Sequence, residues 1–188
     1  IGNVDAVMTT APVVVAEQFR HGRSAGMPIE TRGVLAYEEQ SSGQLVVASS
    51  TQCTYHVREV IAEVLGLAEE RVRVIAPDVG GAFGVKAQPY HEEVLVAALA
   101  LRLNRPVKWV ESRSEHFIST CHDREQVHAV RMGFDNDGKI IAIDDEFWAD
   151  FGAYPVQEDG VTTNTIIHLC SPYKVAHYRG VCNNVVTN

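Results

Sequence analysis

The stretch from Arg71 to Leu103 reads RVRVIAPDVGGAFGVKAQPYHEEVLVAALALRL. It opens with Arg71 to Ala76, in which apolar and polar residues alternate as they do along a strand, and it closes from about His91 to Leu103 with helical composition. Between them Asp78 to Lys86 carries Gly80, Gly81 and Gly84, so the order is strand, glycine-rich loop, helix. Val94 to Leu101 is apolar almost all the way round, so one sheet face cannot cover this helix, and a further neighbour must pack on it, in this chain or beyond it.

Working outward, Pro12 to Arg20, Thr31 to Tyr37 and Leu45 to Ser49 are short β-branched or apolar runs bounded by glycine and polar residues, which predicts three strands. Ser50 and Thr51 offer N-cap oxygens to a helix whose inward face is Val57, Val60, Ile61, Val64 and Leu65. Arg58, Glu59 and Glu63 lie opposite, and Gly66 ends it. On the other side, Asn104 and Pro106 stop the second helix, Val107 to Glu111 reads as a strand, and Ser112 caps a short helix over Arg113 to Phe117. Two longer strands, Gln126 to Phe134 and Lys139 to Phe147, flank Asp135-Asn136-Asp137-Gly138, a strong hairpin turn. A helix over Val161 to Leu169 and a strand over Tyr178 to Val186 follow. Helices set among antiparallel hairpins predict an α+β fold with mixed or antiparallel sheets and packed helices, residues 1–188 forming one region with a sub-boundary near 120–125.

Composition narrows the function. The 188 residues are 46% hydrophobic and 21% charged, which is globular, and no apolar run nears the ~18 residues of a membrane span. A formal charge of −8 lacks the basic surplus that phosphate backbones require, which excludes nucleic acid as a partner. Ile1 to Met8 has neither the charged nor the apolar region of a signal peptide, so the chain reads as a piece of a larger protein. Cys53, Cys121, Cys170 and Cys182 show no paired spacing; reduced, mostly buried thiols in a cytoplasmic setting are expected.

Four constellations bear on chemistry. Gly22-Arg23-Ser24-Ala25-Gly26 matches GxSxG, but the Pro- and Gly-broken stretch after it leaves no room for the helix a nucleophile elbow needs. His91-Glu92-Glu93 lacks the second histidine of a zinc-protease motif, since Leu95 stands there. His116, Cys121 and His122 have no second cluster to complete a metal site. The Asp78 to Lys86 loop fits neither nucleotide template. Its glycines allow close approach of a ligand and present N–H groups to an oxyanion, or else they serve a tight turn with Phe83 plugging the core.

The loop resembles the GGxFGxK loop of the molybdenum hydroxylases, the family of xanthine dehydrogenase, aldehyde oxidase and aerobic carbon monoxide dehydrogenase. Ser50-Thr51-Gln52, Val72 to Val79 (VRVIAPDV), Arg105-Pro106-Val107-Lys108-Trp109, Glu111 to Glu115 (ESRSE) and Ala149 to Tyr154 (ADFGAY) resemble segments of that family's large subunit in the same order, most of all its carbon monoxide dehydrogenase-like branch. The resemblance implies the molybdopterin-binding part of a large subunit, with Gly80, Gly81, Ala82, Phe83 and Gly84 beside the molybdenum–pterin cofactor. Their backbone amides would be its donors, and the Phe83 ring would shape a dry substrate side. Lys86 is assigned a salt bridge within the fold and no catalytic role.

The same resemblance implies oxidation of a small carbon substrate (an aldehyde, an N-heterocycle or a CO-like molecule) with water as oxygen source. The cofactor would be molybdopterin cytosine dinucleotide, and iron–sulfur clusters and FAD would sit on partner subunits or domains. No catalytic residue and no direct metal ligand is implied within these 188 residues. The activating glutamate lies in the rest of the large subunit, so the piece alone is expected to be inactive and to bind no cofactor. Two departures stand out. Where relatives carry a glutamine shortly before the glutamate matched by Glu30, this chain reads Arg20-His21-Gly22-Arg23, leaving His21 or Arg23 to replace that donor. Ala87 stands where purine hydroxylases place a glutamate, which argues against xanthine as substrate. A non-catalytic assembly domain of the same fold is the alternative.

Overall fold

The computed structural model describes residues 1–154 and 160–187. The chain forms two compact units, one from residues 1–24 with 123–188 and one from the contiguous segment 25–122. In chain order the elements are α1 (Val4–Thr10), β1 (Val13–His21), β2 (Gly33–Glu39), β3 (Gln44–Ser49), α2 (Thr54–Leu65), β4 (Val72–Ile75), α3 (His91–Leu103), β5 (Val107–Val110), α4 (Arg113–Ser119), β6 (Glu125–Phe134), β7 (Ile140–Asp150), α5 (Gly160–His168) and β8 (His177–Val185).

In the contiguous unit the sheet order is β4-β3-β2-β5. β2 pairs antiparallel with β3 and β5, and β4 joins β3 in parallel across the helix α2. Alternation sends Val34 and Ala36 of β2 and Leu45 and Val47 of β3 into one core, which meets Val57, Ile61 and Ala62 of α2 and Val96, Ala97 and Ala100 of α3. Gly66 ends α2 in the left-handed conformation, φ 64°, its N–H donating to Ala62 and Glu63 carbonyls. The start of α2 differs from expectation. Cys53 is its N-cap and makes no side-chain cap bond; Ser50 Oγ instead accepts from Gly33 N–H, and Thr51 Oγ1 from Cys53 N–H. Packing of α3 against both the sheet and α2 meets part of its apolar surface, while Leu95 and Leu103 stay exposed.

Register places the connections. β2 begins at Gly33 opposite Val110 at the end of β5, Val34 faces Ser49 at the end of β3, and Ala48 faces Ile75 at the end of β4. One end of this sheet therefore gathers residues 26–33, 49–53, 76–90 and 111–113.

The other unit is a sheet of order β1-β6-β7-β8, antiparallel except that β8 runs parallel to β7. Asp135 Oδ1 accepts from Asp137 and Lys139 N–H at 3.0 and 2.9 Å and closes the β6–β7 turn, with Gly138 at φ 79°. The helix α1, absent from the sequence reading, is capped by Asn3 Oδ1 on Ala6 N–H and buries Val4 and Met8 against Ala142. The expected helix over Val161 to Leu169 is α5. All four cysteines are free, and they are half-buried rather than buried. Among the described residues no helix is long and apolar enough to cross a membrane.

Candidate functional site

The glycine loop is held at both ends by side chains of the neighbouring connections. At its start Gly80 N–H donates to Glu30 Oε2 at 2.9 Å, and Glu30 N–H donates back to Gly80 O at 3.2 Å. Gly80 comes so close that a Cβ there would lie 2.6 Å from Glu30 Cβ. At its end Gly84 N–H donates to Gln52 Oε1 at 3.1 Å, while Lys86 O accepts from Gln52 N–H and Thr51 Oγ1 at 2.9 and 3.2 Å. Lys86 Nζ reaches Glu30 Oε2 at 2.9 Å and ties the two ends together, with its side chain only 1% exposed. Burial raises the Glu30 pKa, but the Lys86 ammonium and the Gly80 N–H outweigh it and hold the carboxyl below its ordinary value.

Within this frame Gly81, Phe83 and Gly84 have φ of 94°, 56° and 92°. The positive φ of Phe83 is uncommon for a residue with a side chain. Its ring is 67% exposed, so the loop is not a turn plugged into the core by Phe83. Among the described residues none accepts from the N–H groups of Gly81, Ala82 or Phe83. Among the described residues a Cβ on Gly84 would meet nothing within 4 Å. Consecutive free N–H donors beside an open glycine are the donor set that an oxygen-rich anionic group requires, and the residues present fit such a cofactor.

The strap that carries Glu30 is itself braced. Arg113 donates to Pro28 O and Ile29 O at 2.7 and 2.9 Å, and His116 Nε2 lies 2.9 Å from Gly26 O. Ser112 and Glu115 form a reciprocal capping box that sets α4 in place. Beneath the strap the buried Arg32 guanidinium donates to Glu111 Oε1 through Nε and Nη2 at 3.0 and 2.7 Å and to Glu92 through Nη1 at 3.0 Å; it also lies 3.7 Å from the Tyr90 ring centroid. Burial raises the Glu111 pKa, yet its bonds from Arg32 and His116 dominate and bring it down to about 2.

The other sequence candidates have partners of their own. Arg23 pairs with Glu125 and Asp150 at 3.3 and 3.1 Å, and His21 Nδ1 lies 2.9 Å from Arg124 O, so both are engaged within the first unit. Ser24 Oγ donates to Gly22 O, and no helix follows before Thr54. Of His91-Glu92-Glu93, Glu92 serves Arg32 and Glu93 accepts from Ser49 Oγ and Tyr90 N–H. His116 is bound to Glu111, whereas Cys121 contacts Gln88 and Tyr90. Gln52 stood in a quoted motif without a role. Its contact with residue 84 spans 32 positions, and no local pattern signals it.

Comparison with known proteins identifies the family. The family model described as the molybdopterin cofactor-binding domain matches residues 1–188. The chain is 33% identical over its whole length to the gamma subunit of the 6-hydroxypseudooxynicotine dehydrogenase complex of Paenarthrobacter nicotinovorans, covering 24% of that relative. It is 32% identical over 98% of its length to the carbon monoxide dehydrogenase large chain of Hydrogenophaga pseudoflava, covering 23% of it. Among solved structures, quinoline 2-oxidoreductase from Pseudomonas putida 86 superimposes with TM-score 0.86 at 33% identity, covering 98% of this chain and 24% of that one. The aldehyde oxidoreductase from Desulfovibrio gigas gives TM-score 0.89 at 26% identity over 98% of this chain and 20% of that one. The chain belongs to the molybdopterin cofactor-binding domain family and spans about a quarter of the length of these curated relatives.

Proposed function

We propose that the chain is the part of a molybdenum-dependent hydroxylase or dehydrogenase large subunit that receives the molybdopterin cofactor on residues 80–84. The observation that carries this reading is the row of three uncommitted N–H groups at Gly81, Ala82 and Phe83, framed by Gly80 and Gly84, whose own amides are spent on Glu30 and Gln52. When bound, the cofactor supplies the redox centre at which a small carbon substrate is oxidised, with water as the oxygen source. The chain's own residues bind and orient it. The loop amides donate to its anionic oxygens without reorganisation, because Glu30, Lys86 and Gln52 already fix the backbone. The exposed Phe83 ring gives the site an apolar wall that excludes water. Ala87 supplies no carboxylate to the substrate side, which favours aldehydes, non-purine N-heterocycles or a CO-like molecule over xanthine.

On this reading the cofactor is the cytosine dinucleotide form, the remainder of the large subunit supplies the catalytic glutamate, iron–sulfur and flavin subunits carry electrons away, and the complex works in the cytoplasm. The test is molybdenum content and activity of the full-length subunit purified with its partners, wild type and Gly84→Ala. Among the described residues the added methyl meets no atom within 4 Å, so the cost to the fold is backbone strain of about 1–2 kcal/mol. Loss of molybdenum and activity with folding retained is expected; a wild-type complex without molybdenum would overturn the reading.

A further inference from the structure

The sheet of the discontinuous unit has two unlike edges. At β8 the edge is occupied where the strand begins: the Ile1 amino group donates to Tyr178 O at 2.7 Å, and Tyr178 N–H donates to Ile1 O at 2.9 Å. Most residues of β8 are also half-buried. At β1 the edge is bare from end to end. This strand pairs only with β6, and among the described residues no backbone group reaches its outer side. Nine residues at ~3.4 Å apiece leave roughly 30 Å of edge, along which alternate N–H and C=O groups point away from β6. The strand contains no proline and no lysine, and its register is unbroken from Val13 opposite Phe134 to His21 opposite Gln126, so nothing in it blunts the edge.

We propose that the outer edge of β1 receives a fifth strand from the part of the same polypeptide that lies outside these 188 residues. The chain spans 24% and 23% of the two relatives described above, so in proteins of this family most of the polypeptide lies outside the matched region. A strand tethered in the same polypeptide acts at an effective concentration on the order of millimolar, which places it ahead of a second copy or a separate subunit. The sheet already draws on distant positions, since β1 itself is completed only by β6. Alternation sets the chemistry of the occupant. Val13, Val15 and Phe19 project on one face with Glu17 between them, and all four are exposed. Among the described residues Glu17 has no ion-pair partner. The strand that fits carries β-branched or aromatic residues opposite Val13, Val15 and Phe19 and a lysine or arginine opposite Glu17.

The test uses the full-length subunit purified with its partner chains. Phe19→p-benzoylphenylalanine and, separately, Val15→p-benzoylphenylalanine place a photoreactive ketone on the strand, and mass spectrometry after irradiation identifies what it reaches. A link to a peptide of the same polypeptide outside residues 1–188 is expected. Hydrogen exchange of the wild-type complex is the second readout. Pairing with β6 alone slows alternate amides between Val13 and His21, whereas a strand on each side slows all of them, which is the expected result. A link to a second copy, to a partner subunit or within the 188 residues would overturn the inference. So would the absence of a link from both positions, or slow exchange at alternate amides only. None of these readouts depends on the cofactor, so a wild-type complex free of molybdenum would overturn the proposed function and leave this inference standing.

Discussion

Glu111 has no solvent exposure at its side chain and collects bonds from the Arg32 backbone and guanidinium, from His116 and from Thr120. These bonds offset the desolvation of a buried carboxylate, and removing one partner would leave a charge uncompensated. Its pKa falls from the ordinary 4.5 to about 2 on folding. The stability it contributes is therefore complete above about pH 4.5 and is lost as the pH falls from there toward about 2, at up to roughly 1.4 kcal/mol per pH unit. Acid unfolding of the chain followed by circular dichroism should show this slope, and Glu111→Gln should flatten it. Because His116, bonded to Glu111, also holds Gly26 O, the same acid range should loosen the strap that presents Glu30 to the glycine loop.

At the level of elements, the contiguous unit is a four-stranded sheet covered by α2 and α3, with Ile61 fully buried in the shared core. Ile61→Ala should destabilise it by about 2–5 kcal/mol through lost burial and the cavity left behind, read as a lowered denaturation midpoint at unchanged m-value. The sequence made these elements legible because each rests on local physics: period-3.6 burial and Gly66 for α2, the Ser112 cap for α4, and the Asp135 turn for the β6–β7 hairpin. It did not reveal α1, a seven-residue helix held by contacts with β6, β7 and β8, nor the parallel placement of β8, which depends on a partner some 35 positions away. The site divides in the same way. Glycine spacing marked Gly80 to Gly84, but Glu30–Lys86 and Gln52–Gly84 join residues 56 and 32 apart and leave no periodic trace. Phe83 misled the turn reading because a bulky side chain at positive φ is an exception that only its surroundings can impose.

Over the whole molecule, β1 stands out among the described residues as an exposed edge strand. It pairs on one side only, with β6, and all nine of its residues are exposed, with Val13, Val14, Val15 and Phe19 at 45–58%. A long apolar edge strand is a template for pairing with another chain. The 188-residue chain by itself should therefore associate in a concentration-dependent way, measured by analytical ultracentrifugation, and Val14→Lys should shift it toward monomer. The discontinuous unit has a further consequence, for biosynthesis. Residues 25–122 are contiguous and can close on themselves as they leave the ribosome, whereas His21 of β1 must wait for Gln126, and Val13 for Phe134. Throughout that interval the nascent chain presents a bare valine-rich ribbon ahead of a finished neighbour, so a strand translated before residues 25–122 finds shelter only after them.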